Sequence, residues 1–335
     1  MGKIVVTGAT GFIGSNLLYG LERAGYTDIV AVDTFGCGEK WKNVAKRTMP
    51  VYISPEELMP YLHDNKYSIG DIVHLGAISS TTEKDVDAII AANYSLTTEL
   101  FRFCLENGIS LIYASSAATY GNGENGFSDN EDLSYLSSLR PQNAYGWSKN
   151  LVDMYVAQNG GFNKKKSPSI VALKFFNVYG PNEYHKGSQK SVINTFYNQL
   201  ITTGSMKLFR SNNPEIADGE QKRDFVSVDD CVNVILWFLS YYKQTRKGIS
   251  GIYNVGTGVP ATFNQVASFV AKAAGKECKI EYVDMPENVS AHYQNYTCAD
   301  ITKLRNSGYT FEMTSIEQGI KNYIENYLTK QDNFK

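Results

Sequence analysis

Tyr145 and Lys149 stand four residues apart in "NAYGWSK" (143–149), and Asn143 occupies the place of a helix N-cap, so both side chains fall on one helical face. An ammonium beside a phenol stabilises the phenolate and lowers its pKa toward neutrality, which suits a tyrosine that exchanges a proton with a sugar hydroxyl. Ser116 closes the run "SLIYASS" (110–116), a strand end where parallel sheets bind ligands, and its hydroxyl can hold a substrate oxygen. A Tyr-x-x-x-Lys spacing arises by chance on many helices, but this one is accompanied by a glycine turn. "TGATGFIG" places Gly8, Gly11 and Gly14 between a β-branched run and a helix, where backbone can approach a pyrophosphate at a helix N-terminus. Asp33, ending the next strand, can bond a ribose hydroxyl and argues for NAD, since it would repel a 2′-phosphate. Lys40, in "TFGCGEK", could fold back onto such a phosphate, so NADP stays open as well.

These residues need a frame. Short β-branched runs, "KIVVT" (3–7), "IVAVD" (29–33), "DIVHLG" (71–76) and "SLIYASS", alternate with a helix from about Phe12 to Gly25 and another through "DAIIAANYSLTTELFRFCLENG". That βαβ rhythm predicts an α/β fold, a Rossmann-type doubly wound parallel sheet covered by helices on both faces. Two later runs, 169–180 and 250–258, add strands. Segments of mixed charge and many aromatics predict a smaller mixed α/β substrate lobe. The expected division is residues 1–180 plus about 223–258 for the dinucleotide-binding domain, and about 181–222 plus 259–325 for the nucleotide-sugar-binding lobe.

The 335 residues carry 32 basic and 34 acidic side chains, a net charge of −2, so no overall field points to nucleic acid or to an anionic membrane. Five widely spaced cysteines form no C-x-x-C pair, which suggests neither a disulfide framework nor a zinc site and suits a reducing cytoplasm. No apolar run reaches the ~18 residues of a membrane span and no leader precedes "KIVVTGATG", predicting a soluble protein without a signal peptide. "NKKKSPS" (163–169) reads as a solvated basic turn. His63, His74 and His292 read as structural, and no metal site is expected. Lys186, in the polar loop "EYHKGS" (183–188), would by itself be a solvated charge.

The glycine turn, the strand-end serine and "YGWSK" resemble the extended short-chain dehydrogenase/reductase superfamily, whose members mostly rework nucleotide sugars. More narrowly, "GAISSTTE" (76–83), "YASSAATYG" (113–121), "FFNVYGPNEYHKGS" (175–188), "KLF" (207–209), "KRDFVSVDD" (222–230), "WFL" (237–239) and "HYQNYTCADITKLRNSGY" (292–309) resemble the ADP-L-glycero-D-manno-heptose 6-epimerases of lipopolysaccharide inner-core synthesis. The resemblance covers nearly the whole chain. It implies an NAD(P)-dependent isomerase without net redox, holding NADP, or alternatively NAD, tightly. It also implies a small-molecule ADP-heptose substrate and a homopentamer in the cytoplasm.

Abstraction of a proton from an unactivated carbinol carbon is inaccessible, so such an epimerase removes hydride and returns it to the opposite face. Because carbon six is exocyclic, the oxygen of the rotated aldehyde points elsewhere, and a second proton-transfer group is needed. The resemblance assigns Tyr145 and Lys186 to these two roles, with Lys149 and Ser116 completing the catalytic set. Gly8, Gly11, Phe12, Ile13, Gly14, Asp33, Thr34, Lys40, Leu75, Gly76, Ala77, Ile78, Ser79, Asn93 and Val178, besides Tyr145, Lys149 and Lys186, are expected to hold the cofactor. Asn177, Ser188, Phe209, Ser211, Arg223 and Tyr293, with Ser116, are expected to hold the substrate, and "ISSTT" to line the shared cleft. Arg223 has its own rationale as a bidentate diphosphate clamp, the bland alternative being an ion pair with Asp229 or Asp230. Two departures stand out: "RSNN" and the longer path "NPEIADGEQ" before Arg223, and Pro55 near the place of a second basic residue for the 2′-phosphate. Competing readings are a UDP-hexose 4-epimerase, which needs no second base, and a non-catalytic nucleotide sensor, which would not need Tyr145 and Lys149. A dehydratase is disfavoured because "SSAATYG" lacks an Asp-Glu pair.

Overall fold

The runs read as strands are apolar on both faces, as a parallel sheet between two helical layers requires. The computed structural model describes residues 2–48, 51–163, 168–245, 248–286, 290 and 293–335. Its strands are β1 (Lys3–Thr7), β2 (Ile29–Val32), β3 (Val51–Ile53), β4 (Ile69–His74), β5 (Ser110–Ser116), β6 (Ile170–Phe175), β7 (Asn177–Tyr179), β8 (Ser205–Phe209), β9 (Lys222–Arg223), β10 (Phe225–Ser227), β11 (Gly251–Val255), β12 (Ala261–Thr262) and β13 (Lys279–Val283). Seven of them form one parallel sheet in the order β11-β6-β5-β4-β1-β2-β3. The order reverses between β1 and β4, and the crevice at such a switch point is where these sheets bind ligands.

The helices are α1 (Phe12–Arg23), α2 (Leu58–Asn65), α3 (Val86–Ile89), α4 (Leu96–Asn107), α5 (Leu133–Ser138), α6 (Ala144–Gln158), α7 (Val192–Thr203), α8 (Val228–Thr245), α9 (Phe263–Ala274), α10 (Thr302–Asn306) and α11 (Ile316–Tyr323). A π-helical turn, Ile90–Ser95, joins α3 to α4. Leu17, Leu18 and Leu21 of α1 pack with Val234, Ile235 and Phe238 of α8 on one sheet face. Leu62, Phe101, Val152 and Val156 of α2, α4 and α6 pack on the other. This is the doubly wound arrangement expected from the sequence. A third cluster, built from Ile193, Phe196, Leu208, Val266, Val270 and Ile320, surrounds the parallel pair β8–β13. Not all of 259–325 joins it: Leu304 and Tyr309 pack into the first sheet cluster and Ala299 into the second, so this stretch returns to the sheet. Most of the basic turn at 163–169, together with His292, lies outside the described residues.

β6 continues through Phe176 into β7, which leaves the main sheet to pair with β10. The long run 169–180 is therefore two strands, and its bend carries the following loop over the carboxyl edge of the sheet. Beneath that edge Lys174 of β6 and Asp153 of α6 form an ion pair at 2.8 Å with both side chains fully buried. Asp153 also accepts the Tyr113 and Ser115 hydroxyls at 2.9 and 2.7 Å. Lys174 donates to the Thr119 hydroxyl at 2.6 Å and lies over the Tyr120 ring. Such a pair persists only because these partners replace the lost water. Asp153→Ala strands the ammonium in the core and should remove about 3–5 kcal/mol of stability by urea unfolding, part of it regained by adding Lys174→Met. A loss under ~1 kcal/mol would contradict this account of the pair.

Candidate active site

The turn from β1 to α1 is pressed close. A Cβ on Gly14 would lie 2.0 Å from the Gly8 carbonyl oxygen, and one on Gly8, whose φ is +65°, 2.6 Å from the Gly76 amide nitrogen. α1 opens after Gly11 with no side-chain cap, so its first amides remain available to a phosphate. At the end of β2, Asp33 accepts the Thr10 amide and hydroxyl at 2.9 and 2.7 Å on one oxygen. Its other oxygen accepts the Thr34 amide and the Lys40 ammonium, each at 2.8 Å. Lys40 also donates to the Thr34 carbonyl at 2.7 Å. These features fit a dinucleotide: glycine backbone for the pyrophosphate, and an oriented, charge-balanced carboxylate for the ribose.

Across the cleft, Asn143 caps α6 by accepting the Gly146 amide at 2.8 Å, which brings Tyr145 and Lys149 to the inner face of the helix. The ammonium of Lys149 is buried, and burial brings its pKa down to about 8 against the opposing charge of Asp153. The sequence expectation for Tyr145 is not met. Burial holds the phenol above its ordinary value, with Asp153 adding to the rise, and only the Ser116 hydroxyl favours the phenolate. Desolvation therefore outweighs the hydrogen bond from Ser116. The Ser116 hydroxyl also accepts the Ala118 amide at 3.1 Å, which fixes its rotamer.

Tyr145, Lys149 and Ser116 line one cleft of 410 Å³ with Gly8, Gly11, Phe12, Ile13, Gly14, Asp33, Lys40, Leu75, Gly76, Ala77, Ser79, Val178 and Lys186. Thr34, Ile78 and Asn93 are not on its wall. Asn93 sits in the π-helical turn, fully buried, where its carboxamide exchanges hydrogen bonds with the Ile78 backbone at 2.8 and 2.9 Å and donates to Ser148 at 3.0 Å. It holds the loop that lines the cleft. His74, expected to be structural, bonds Thr7 and Thr97 and is pushed down to about 3 by burial, hence neutral. His185 and Phe176, which the sequence reading did not place on the wall, line it too. His185 could have been found from its position beside Lys186.

A second cleft of 710 Å³ adjoins the first, and Phe176, Val178 and Lys186 belong to both walls. Asn177, Phe209, Arg223 and Tyr293 line this second cleft as expected, joined by Thr81 of "ISSTT". Arg223 is buried, with its guanidinium 4.9 Å from the Tyr293 ring centroid and 5.8 Å from that of Phe263. Asp229 pairs instead with Lys335, and Asp230 accepts Thr314, so the helix-cap alternative for Arg223 fails. Ser188 and Ser211 do not line the cleft. Ser188 is exposed on the loop, and the Ser211 hydroxyl is turned into its own loop, donating to the Asn213 carbonyl at 2.9 Å. The segment 213–221 runs beside α9, where Asn264 donates to the Asp218 carbonyl at 3.0 Å. Phe263 and Lys207, missed from sequence, line the cleft. No local signal marks Phe263, because only the fold brings it beside Arg223.

Among the described residues no group of three or more His, Cys, Asp or Glu is placed to hold a metal, and no helix is long and apolar enough to cross a membrane.

The model of the NAD dependent epimerase/dehydratase family matches residues 4–256. A protein named ADP-L-glycero-D-manno-heptose-6-epimerase from Nitratidesulfovibrio vulgaris is 43% identical over 332 residues, 98% of this chain and 99% of that protein. One of the same name from Fusobacterium nucleatum is 41% identical over 340 residues, 99% of each. Among solved structures, the Helicobacter pylori ADP-L-glycero-D-manno-heptose-6-epimerase superposes with a TM-score of 0.78 at 26% identity, over 97% of this chain and 96% of that one. The Thermus thermophilus UDP-glucose 4-epimerase complex with NAD, at 23% identity and TM-score 0.75 over 96% and 98%, shares the fold.

The glycine turn yields the most local test. Gly14→Ala forces a methyl group toward the Gly8 carbonyl, so dinucleotide binding followed by reduced-nicotinamide fluorescence should weaken by about tenfold or more, equivalent to ~1.4 kcal/mol. Unchanged affinity would show that the turn does not carry the pyrophosphate.

Proposed function

The chain belongs to the NAD dependent epimerase/dehydratase family, and from that premise we propose that it interconverts ADP-D-glycero-β-D-manno-heptose and ADP-L-glycero-β-D-manno-heptose by transient oxidation at carbon six. The observation that carries this reading is Lys186: it stands, half-buried, where the dinucleotide cleft and the second cleft share a wall. The near-full-length likeness to proteins named for this epimerisation supports the same substrate.

Tyr145 and Val178 line the cleft that would hold the dinucleotide, whose nicotinamide, when bound, would supply reversible hydride chemistry without net redox change. The chain's own residues hold the substrate and move its protons. Arg223, flanked by Tyr293 and Phe263, is a desolvated guanidinium suited to gripping a diphosphate on two oxygens. Ser116 fixes the carbinol oxygen near the Tyr145 phenol, which takes or gives its proton in one orientation of the carbon-six group. After that group rotates, the oxygen lies on the other side, and the Lys186 amine takes the second proton-transfer position. Lys149, a buried lysine on the same helix as Tyr145, would hold the dinucleotide from the cleft wall. Rotation of an exocyclic carbon needs a proton group on each side, which is why a lysine at the junction favours this substrate over a ring-position epimerisation.

For the cofactor we propose NADP, with Lys40 as the partner of the 2′-phosphate. Asp33 does not oppose this, since the Thr10 and Thr34 amides and Lys40 meet its charge. All five cysteines are free, which suits a reducing cytoplasm.

Three outcomes test this reading. Purified protein given ADP-D-glycero-β-D-manno-heptose without added cofactor should equilibrate it with the L-glycero epimer, as followed by NMR of the carbon-six proton. Activity confined to UDP-glucose, or a stoichiometric need for NAD, would overturn it. Lys186→Ala should lower kcat at least ~100-fold with dinucleotide retained; an undiminished rate returns Lys186 to an ordinary charge. Lys40→Ala should weaken NADP about tenfold in a binding titration while leaving NAD within about twofold, and equal losses would refute the assignment.

A further inference from the structure

Nothing in the reaction above accounts for Glu183, three residues before Lys186. It is 1% exposed, and a buried carboxylate must be met by donors. The Ser191 amide donates to it at 2.5 Å, the Ser191 hydroxyl at 2.7 Å and the Tyr323 hydroxyl at 3.0 Å. Asn194 in turn donates to the Tyr323 oxygen at 3.1 Å. Ser191 caps α7 and Tyr323 ends α11, so Glu183 ties its loop to two helices of the lobe.

The preceding residue ties the same loop to the cofactor side. Asn182, at φ +71° and fully buried, donates to the Ser15 hydroxyl at 3.0 Å and accepts the Lys335 amide at 3.0 Å. His185 bonds the Asn43 carboxamide at 3.1 Å, and that carboxamide donates to the Thr10 carbonyl in the glycine turn at 2.9 Å. Between these anchors the Lys186 amide donates to the Glu183 carbonyl at 3.0 Å. Gly187, at φ +57°, then turns the chain away.

Lys186 is half-buried, its nitrogen 5.7 Å from the centroid of the Phe12 ring. The charged or titratable groups around it are Glu183 and His185 on its own turn, Asp33 after β2 and Lys40 in the 3-10 turn Glu39–Asn43, Tyr145 and Lys149 on α6, and Lys190, Lys207, Arg223 and Tyr293 on the second cleft. Burial lowers the proton affinity of Lys186, and Glu183 raises it. Burial raises the Glu183 carboxyl, and its hydrogen bonds and Lys186 oppose that rise.

We propose that Glu183 is the positioning residue for Lys186: anchored to Ser191 and Tyr323, it fixes the turn that delivers the ammonium to the junction of the two clefts and sets a carboxyl group on that same turn. This rests on the reading of Lys186 as a proton-transfer group. The test is carried out on the full chain with lysines reductively methylated with ¹³C, the Lys186 resonance being identified by its loss in Lys186→Arg. In Glu183→Gln, which keeps the shape, the Lys186 titration midpoint should fall by about one pH unit. The kcat limb set by Lys186 should move to lower pH with it, while KM changes little. An unmoved midpoint overturns the proposal. Should Glu183→Gln fail to fold, the reciprocal measurement serves: in Lys186→Met the ¹³C-labelled Glu183 carboxyl should titrate at higher pH than in the parent, and an unchanged value overturns the proposal equally. A lowered midpoint in Glu183→Gln, combined with undiminished epimerisation by Lys186→Ala, upholds the coupling and removes only the catalytic role of Lys186.

Discussion

The structure turns on the burial of one cation at a shared wall. Lys186 lies between a cleft shaped for a dinucleotide and a cleft lined by an arginine between two aromatic rings. An amine so placed is stripped of part of its water, which lowers its proton affinity toward the range where it can both give and take a proton. Every element around it serves to hold that position: the bend from β6 into β7, the left-handed Asn182, and the links from Asn43 and Glu183 to opposite sides of the loop.

Tyr145 obeys the same electrostatics. Buried in the cleft, its phenol is held up rather than down, and Ser116 alone pulls toward the phenolate. Burial thus acts on the two groups in opposite senses, leaving a phenol harder to ionise and an ammonium easier to discharge.

Local spacing carried much of this. The glycine turn and Tyr145-x-x-x-Lys149 are readable because a strand-to-helix turn and a helix face are defined within a few residues. The seven-strand sheet follows from apolar runs buried on both faces. What escaped was set by long-range contact. The sequence offers Asn93 as a cofactor contact, and the π-helical turn sets its carboxamide on the Ile78 backbone and Ser148. Ser211, expected at the substrate, turns its hydroxyl into its own loop. Lys149 does not dominate Tyr145, since spacing says nothing of the depth of a cleft. Glu183 meets Tyr323 across 140 residues of chain, a pairing that no sequence pattern signals.

The claim that two groups on opposite sides serve one stereocentre is tested most directly by a half-reaction. Tyr145→Phe and Lys186→Met, each loaded with oxidised cofactor, would be mixed with each of the two heptose epimers while the absorbance of reduced nicotinamide is followed. The account predicts a crossed pattern, in which each variant still oxidises one epimer and fails on the other, the two variants failing on opposite epimers. Loss on the same epimer in both variants, or oxidation of both epimers by Lys186→Met, would contradict it.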